Sequence, residues 1–141
     1  MRVEAYIDGG SRGNPGLAAI GGVVRFYNGG VKKVSFSRCI GETTNNVAEY
    51  SCLIEALKVI KEEGGKVEGV VVYMDSLLVV NQVNGLFKVK NSRLRELLMK
   101  VRVLEGEIGV GVECRSVPRE RNKEADSLVN KAMDEWRQAG G

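Results

Sequence analysis

Residues 69–76, GVVVYMDS, decide how the rest of the chain is read. Val70 to Met74 run without a polar break, short, β-rich and apolar in both alternating directions. That is the pattern of a strand covered on both sides, inside a sheet that carries helices. The run stops at Asp75-Ser76. Working outward, residues 46–63 read as a helix stopped by Gly64-Gly65, and 76–84 and 91–105 as two more. Residues 110–117 read as a strand. Residues 122–138 follow as a last helix, entered after Pro118 with Asn122 as its cap and Ala125, Leu128, Val129, Ala132, Met133 and Trp136 as its apolar stripe. Upstream, Val3, Ala5 and Ile7 alternate in a strand over 2–8, and DGGSRGNPG (8–16) reads as a long Gly/Pro turn. LAAIGGVVRF and VKKVSFSRCI flank YNGG, whose Asn-Gly pair signals a hairpin. The order βββ-α-β-α-α-β-α predicts an α/β fold, a mixed sheet with helices on its faces, and one domain over 1–141.

Composition narrows the functional classes. Hydrophobic residues at 43% and charged residues at 28% suit a globular chain with a real core. No run approaches the ~18 apolar residues of a membrane helix. MRVEAYID enters a strand directly and leaves no room for a signal peptide, so a cytoplasmic, reducing location is expected. Cys39, Cys52 and Cys114 have no metal-ligand spacing, and the chain has no histidine, which argues against zinc. The net charge of +3 is too small to identify a polyanionic partner, but LFKVKNSRLRELLMKVR (86–102) and the stretch holding Arg115, Arg119, Arg121 and Lys123 are locally basic. Both segments could meet phosphates, and both could equally be solvated helix faces. The glycines after Asp8 match neither nucleotide-cradle spacing, and they lead into a strand, so no helix N-terminus stands ready for a phosphate.

Four acids stand out by position. Glu49 is followed at helical spacing by Cys52, Leu53, Ala56 and Ile60, so it lies on the buried face of its helix. A carboxylate there needs a partner or a cation. Asp8 and Asp75 each end a strand expected to be central, and such sheets gather ligands beyond the carboxyl ends of their strands. An Asx-turn at Asp8 and a helix cap at Asp75-Ser76 are the alternatives. Asp126 sits at the angular edge of the final apolar stripe. Carboxylates gathered at one place repel by about 4 kcal/mol per pair at ~4 Å and a protein-like dielectric, so they take up protons or bind cations. Oxygen-only donors select hard ions such as Mg²⁺ or Mn²⁺, and two such ions form a phosphoryl-transfer site.

YIDGGSRGNPG, TTNNVAEY, YMDSLLVV and RNKEAD resemble, in order and spacing, the acidic motifs of type 1 ribonuclease H, over about residues 2–137. The resemblance implies a ribonuclease H-like, five-stranded mixed sheet whose first three strands are antiparallel, flanked by helices. It implies an endonuclease that cuts the RNA strand of RNA/DNA hybrids with two Mg²⁺ or Mn²⁺ ions, leaving 5′-phosphate and 3′-hydroxyl ends. By that likeness Asp8 bridges both ions, Asp75 and Glu49 hold the one on the leaving-group side, and Asp126 with Asp8 holds the one that activates water. Asn14, Asn45 and Asn46 correspond to minor-groove contacts and Thr44 to a DNA-phosphate contact, with Asn45 or Asn46 also serving as a helix cap. The expected partner is a hybrid, with duplex RNA a conceivable second substrate, and the protein is expected to be a monomer.

The chain departs from that pattern in places. Leu77 stands where family members often carry glutamine, which shifts a minor-groove contact to Asn81 or Gln82 or removes it. A tryptophan-containing basic protrusion and an appended hybrid-binding domain are missing from this sequence, which predicts modest, salt-dependent affinity. The histidine found before the last acid in many members is also missing. Arg119, seven residues before Asp126, is the candidate substitute; it cannot be a base, but it can hold a phosphate or help expel product. Another nuclease or polynucleotidyl transferase of the same fold, and a non-catalytic hybrid-binding module, remain the competing readings.

Overall fold

A computed structural model describes residues 1–140. It runs β1 (Arg2–Arg12), β2 (Gly16–Tyr27), β3 (Val31–Thr43), α1 (Asn45–Glu63), β4 (Gly69–Met74), α2 (Leu77–Val83), α3 (Ser92–Ile108), β5 (Val112–Ser116) and α4 (Lys123–Gln138). A single 3-10 turn, Arg119–Arg121, precedes α4. The five strands form one mixed sheet in the order β3-β2-β1-β4-β5. β1, β2 and β3 make an antiparallel meander, while β4 pairs parallel to both β1 and β5. This is the α/β arrangement expected from the sequence.

One side of the sheet carries the main core. Val3, Ala5 and Ile7 of β1 and Val70, Val72 and Met74 of β4 pack there with Leu53, Leu57 and Ile60 of α1 and Val101 and Leu104 of α3. On the other side α4 covers a smaller cluster through Val129, Ala132 and Met133 against Ala19 of β2. β4 is therefore not buried on both faces: Val71 and Tyr73 are only half-buried, and Tyr73 stacks on Tyr6 at 4.7 Å between ring centroids. Trp136 lies outside the buried stripe of α4, 44% exposed.

Three local expectations are corrected. β1 does not stop at Asp8; it continues through both glycines to Arg12, and the reversal is confined to Gly13–Pro15. Asp8 lies inside the ladder opposite Gly21, which removes the Asx-turn alternative. Gly9 and Gly10 pair with Ile20 and Ala19 of β2, so the ladder runs on through both glycines. Thr44, rather than Asn45 or Asn46, caps α1, its hydroxyl accepting from Val47 N at 3.3 Å. Asn122 occupies the cap position of α4, but its side chain is turned inward, with Nδ2 donating to Ile7 O at 2.7 Å.

Candidate active site

The last paired residues of β1 and β4 are Tyr6 and Tyr73. Continued two residues, that register sets Asp8 opposite Asp75, where the two strands part and ligands reach the carboxyl end of a parallel pair. Two helices then bring acids to this level from opposite faces of the sheet. A Cβ on Gly9 would collide with the Ala48 carbonyl and lie 2.8 Å from Glu49 N, so only glycine lets α1 rest on β1 here. A Cβ on Gly21, across the ladder from Asp8, would lie 2.7 Å from Leu128 Cβ and 2.9 Å from Ala125 O. That glycine lets α4 rest on β2 and carry Asp126 in. The outcome is one cavity of about 340 Å³ lined by Asp8, Glu49, Asp75 and Asp126, with Asn45 and Arg119 on its walls.

The electrostatics register the crowding. Burial first, and then the charges of Asp75, Asp126 and Glu49, push the Asp8 carboxyl up to about 8. Burial pushes Glu49 up to about 7, with the Asp75 charge adding to the rise and the Ser76 hydroxyl opposing it. Glu49 Oε2 is buried without a hydrogen-bond partner. An orphaned buried carboxylate oxygen is costly unless something outside the protein meets it. The donors are all oxygen, so a hard divalent cation fits this set. Among the described residues no three of these side chains stand close enough together to form a ready-made ligand group. Arg119 donates to Asp126 Oδ1 at 3.4 Å while staying 74% exposed, and that carboxylate raises its pKa further. It therefore stays protonated and is a cation on the wall of the cleft.

The remaining candidate residues separate. Asn45 Oδ1 accepts from both the backbone N and the hydroxyl of Ser11, at 2.9 and 3.0 Å. Asn14 Oδ1 accepts from Asn45 N at 3.1 Å. Both acceptor sites of the Asn45 carbonyl are thus used, leaving its amide NH₂ to offer, while Asn14 keeps its NH₂ and one acceptor site. Asn14, Thr44 and Asn46 border a neighbouring cavity together with Asn91 and Arg93. Sequence reading singled out neither Asn91, which caps α3 by accepting from Leu94 N, nor Arg93. Both lie in the basic segment 86–102, where charge alone marks no position. Gln82 is not a surface contact: it is 6% exposed, and its Oε1 accepts from the Tyr50 hydroxyl at 2.7 Å. One turn before it, Leu78 is 38% exposed and Val79 is buried. Leu77, two residues after Asp75, is 61% exposed.

A family model described as reverse transcriptase-like matches residues 6–132. An uncharacterized protein of Mycobacterium bovis is 41% identical over 134 residues, which cover 95% of this chain and 36% of that protein. The chain thus spans about a third of the length of that relative. A ribonuclease H of Clostridium botulinum is 32% identical over 152 residues, covering 96% of this chain and 97% of its own. The crystal structure of LC11-RNase H1 in complex with an RNA/DNA hybrid is 43% identical, with a TM-score of 0.86 over 94% of this chain and 97% of that one. The family match, the near end-to-end alignment with a ribonuclease H and the shared fold agree: the chain belongs to the reverse transcriptase-like family and, within it, to the ribonucleases H.

Proposed function

We propose that the protein hydrolyses the RNA strand of RNA/DNA hybrids with the help of two divalent cations, Mg²⁺ or Mn²⁺, leaving 5′-phosphate and 3′-hydroxyl ends. The observation that carries this reading is the convergence of Asp8, Glu49, Asp75 and Asp126, from four separate elements, on one cleft whose wall presents the Asn45 amide. Asp8 and Asp75, at the parting of β1 and β4, and Glu49 and Asp126, from opposite faces of the sheet, would hold the two cations. Bound there, such ions would supply Lewis acidity, acidifying a water and neutralising charge that builds on the phosphoryl oxygens.

The chain's own groups do the rest. The buried Glu49 carboxyl gives the cleft a wall whose charge is favoured once a cation meets it. Arg119 can attract the scissile region or its product without exchanging a proton. The NH₂ groups of Asn14 and Asn45 suit acceptors, which a hybrid's minor groove offers as 2′-hydroxyl oxygens and base edges. Thr44 and Asn46, in the adjoining cavity, serve the second strand. All four acids come from one chain, which suits a monomer. Free thiols at Cys39, Cys52 and Cys114 suit a reducing, cytoplasmic setting.

The test is an end-labelled RNA/DNA hybrid, duplex RNA and duplex DNA incubated with the protein in Mg²⁺, Mn²⁺ or EDTA, beside Asp75→Asn. Cleavage of the RNA strand of the hybrid is expected with metal only. Cleavage persisting in EDTA, or undiminished in Asp75→Asn, overturns the two-ion reading. Preferential cutting of duplex DNA overturns the substrate.

A further inference from the structure

The cleft extends past the carboxylates. Asp8, Gly10 and Arg12 alternate onto one face of β1, and Asp126, Asn130 and Asp134 follow one another by whole turns along α4. Four residues of strand advance about 13 Å. Eight residues of helix advance about 12 Å. The two rows therefore keep step: where Asp8 meets Asp126, Arg12 meets Asn130 and Asp134. The Arg12 guanidinium donates through one nitrogen to Asp134 Oδ1 at 2.8 Å and Asn130 Oδ1 at 3.4 Å. Asn130 in turn donates to the Asp126 backbone carbonyl at 3.1 Å. Between the two ends the floor is open, since a Cβ on Gly10 would find only Asn45 Oδ1 within 4 Å, at 3.9 Å.

Arg12 and Arg119 are the two cations on a wall that otherwise carries four acids. Arg119 stands at Asp126, while Arg12 stands two helical turns beyond. A guanidinium has five N–H donors in a planar fork. The interaction with Asp134 and Asn130 uses one nitrogen, and the others have no protein partner among the described residues. We propose, on the reading that this cleft cuts a nucleic-acid strand, that Arg12 is a positioning residue. It grips a phosphate of the cut strand beside the one at the carboxylates, through the guanidinium nitrogens that Asp134 and Asn130 leave free. The alternative, a clamp joining β1 to α4, explains less. The pair is solvent-exposed, with Arg12 at 33% and Asp134 at 57%. Such pairs contribute little. α4 is already fastened to β3 by Ser37 Oγ and Cys39 Sγ, which donate to Leu128 O and Ala132 O.

The test measures binding of a fluorescent RNA/DNA hybrid in EDTA from about 50 to about 200 mM salt. Steady-state cleavage in Mg²⁺ is measured beside it, for wild type, Arg12→Gln, Arg12→Lys and Asp134→Asn. Each lost phosphate contact on a duplex lowers the salt slope by about 0.9. Arg12→Gln is expected to lose about one such contact and to raise KM about tenfold, with kcat within about twofold. Arg12→Lys recovers the slope but only part of KM, because an ammonium lacks the fork. Asp134→Asn keeps the slope and does not raise KM. An unchanged slope in Arg12→Gln overturns the proposal. So does an equal loss in Asp134→Asn, the signature of a clamp, which would also lower thermal stability equally in both variants. Wild type that fails to cut the hybrid refutes the function itself; wild type that cuts it with an unaltered slope in Arg12→Gln refutes only the role of Arg12.

Discussion

The two helices that bring acids to Asp8 deliver them in opposite conditions. Glu49 arrives from α1 on the core side, with Oε2 buried and unpartnered. Asp126 arrives from α4 on the thin side of the sheet, a third exposed, with Arg119 beside it and a short cluster beneath it. One wall of the cleft is buried and electrostatically unsatisfied; the other is solvent-exposed and already facing a cation. The core side thus sets where charge is needed, and the α4 side sets how the cleft meets solvent, substrate and product.

Removing an acid from each wall tests that contrast most strongly. Glu49→Gln and Asp126→Asn should each lower hybrid cleavage by at least about 10³-fold if both hold cations. Glu49→Gln should also raise the melting temperature of the metal-free protein, and by more than Asp126→Asn, because Glu49 carries a buried, unpartnered oxygen while Asp126 is a third exposed and faces Arg119. Equal stability changes in the two variants would erase the difference between the walls.

The glycine contacts come next. Gly21→Ala forces α4 off β2, which should cost about 1–3 kcal/mol in unfolding free energy. Displacing Asp126 by about 1 Å should lower activity on the order of 10²-fold. Denaturant melts and cleavage assays check both, and a fully active Gly21→Ala would show that α4 need not sit so close. Arg119→Ala should lower kcat about tenfold while leaving the Mg²⁺ dependence of activity in place. An unchanged kcat would return Arg119 to the status of a solvated side chain.

The smallest effect is one of pH. Asp8 and Glu49 titrate in the folded protein at about 8 and about 7, above their ordinary values of 3.8 and 4.5. Carboxyls raised in the folded state favour folding when protonated. Their contribution is fully present below about pH 4 and lost as pH rises through 7 and 8. The melting temperature of EDTA-treated protein should therefore fall by a few degrees between pH 6 and pH 9, in about the range of these two folded-state values. Mg²⁺ should restore it by mass action. A flat profile in EDTA would mean that the acids are less crowded than their placement implies.

Much of this was legible in one dimension. The apolar run 69–74 ending at Asp75, the helical spacing that turns Glu49 inward, and the edge position of Asp126 report periodicity and strand ends, which are local properties. The four acids and the element order followed from them. The fate of Gln82 did not, because its exposure depends on where Tyr50 of another helix puts its hydroxyl. Nor did the donor-only character of Asn45, since both bonds its carbonyl accepts come from Ser11, in the part of β1 that runs on past Asp8.

The sequence by itself determined which elements form, in what order, and that Glu49 faces the buried side of its helix. Tertiary structure alone decided that Gly9 is a helix contact point rather than a turn residue, and that Gly21 is such a contact point within its strand. It also decided that β1 runs on to Arg12 and that strand and helix keep step over about 12–13 Å. The physical reason is range. Periodicity and propensity act between neighbours in the chain, whereas the absence of a Cβ gains meaning only when a helix from elsewhere comes to rest on it.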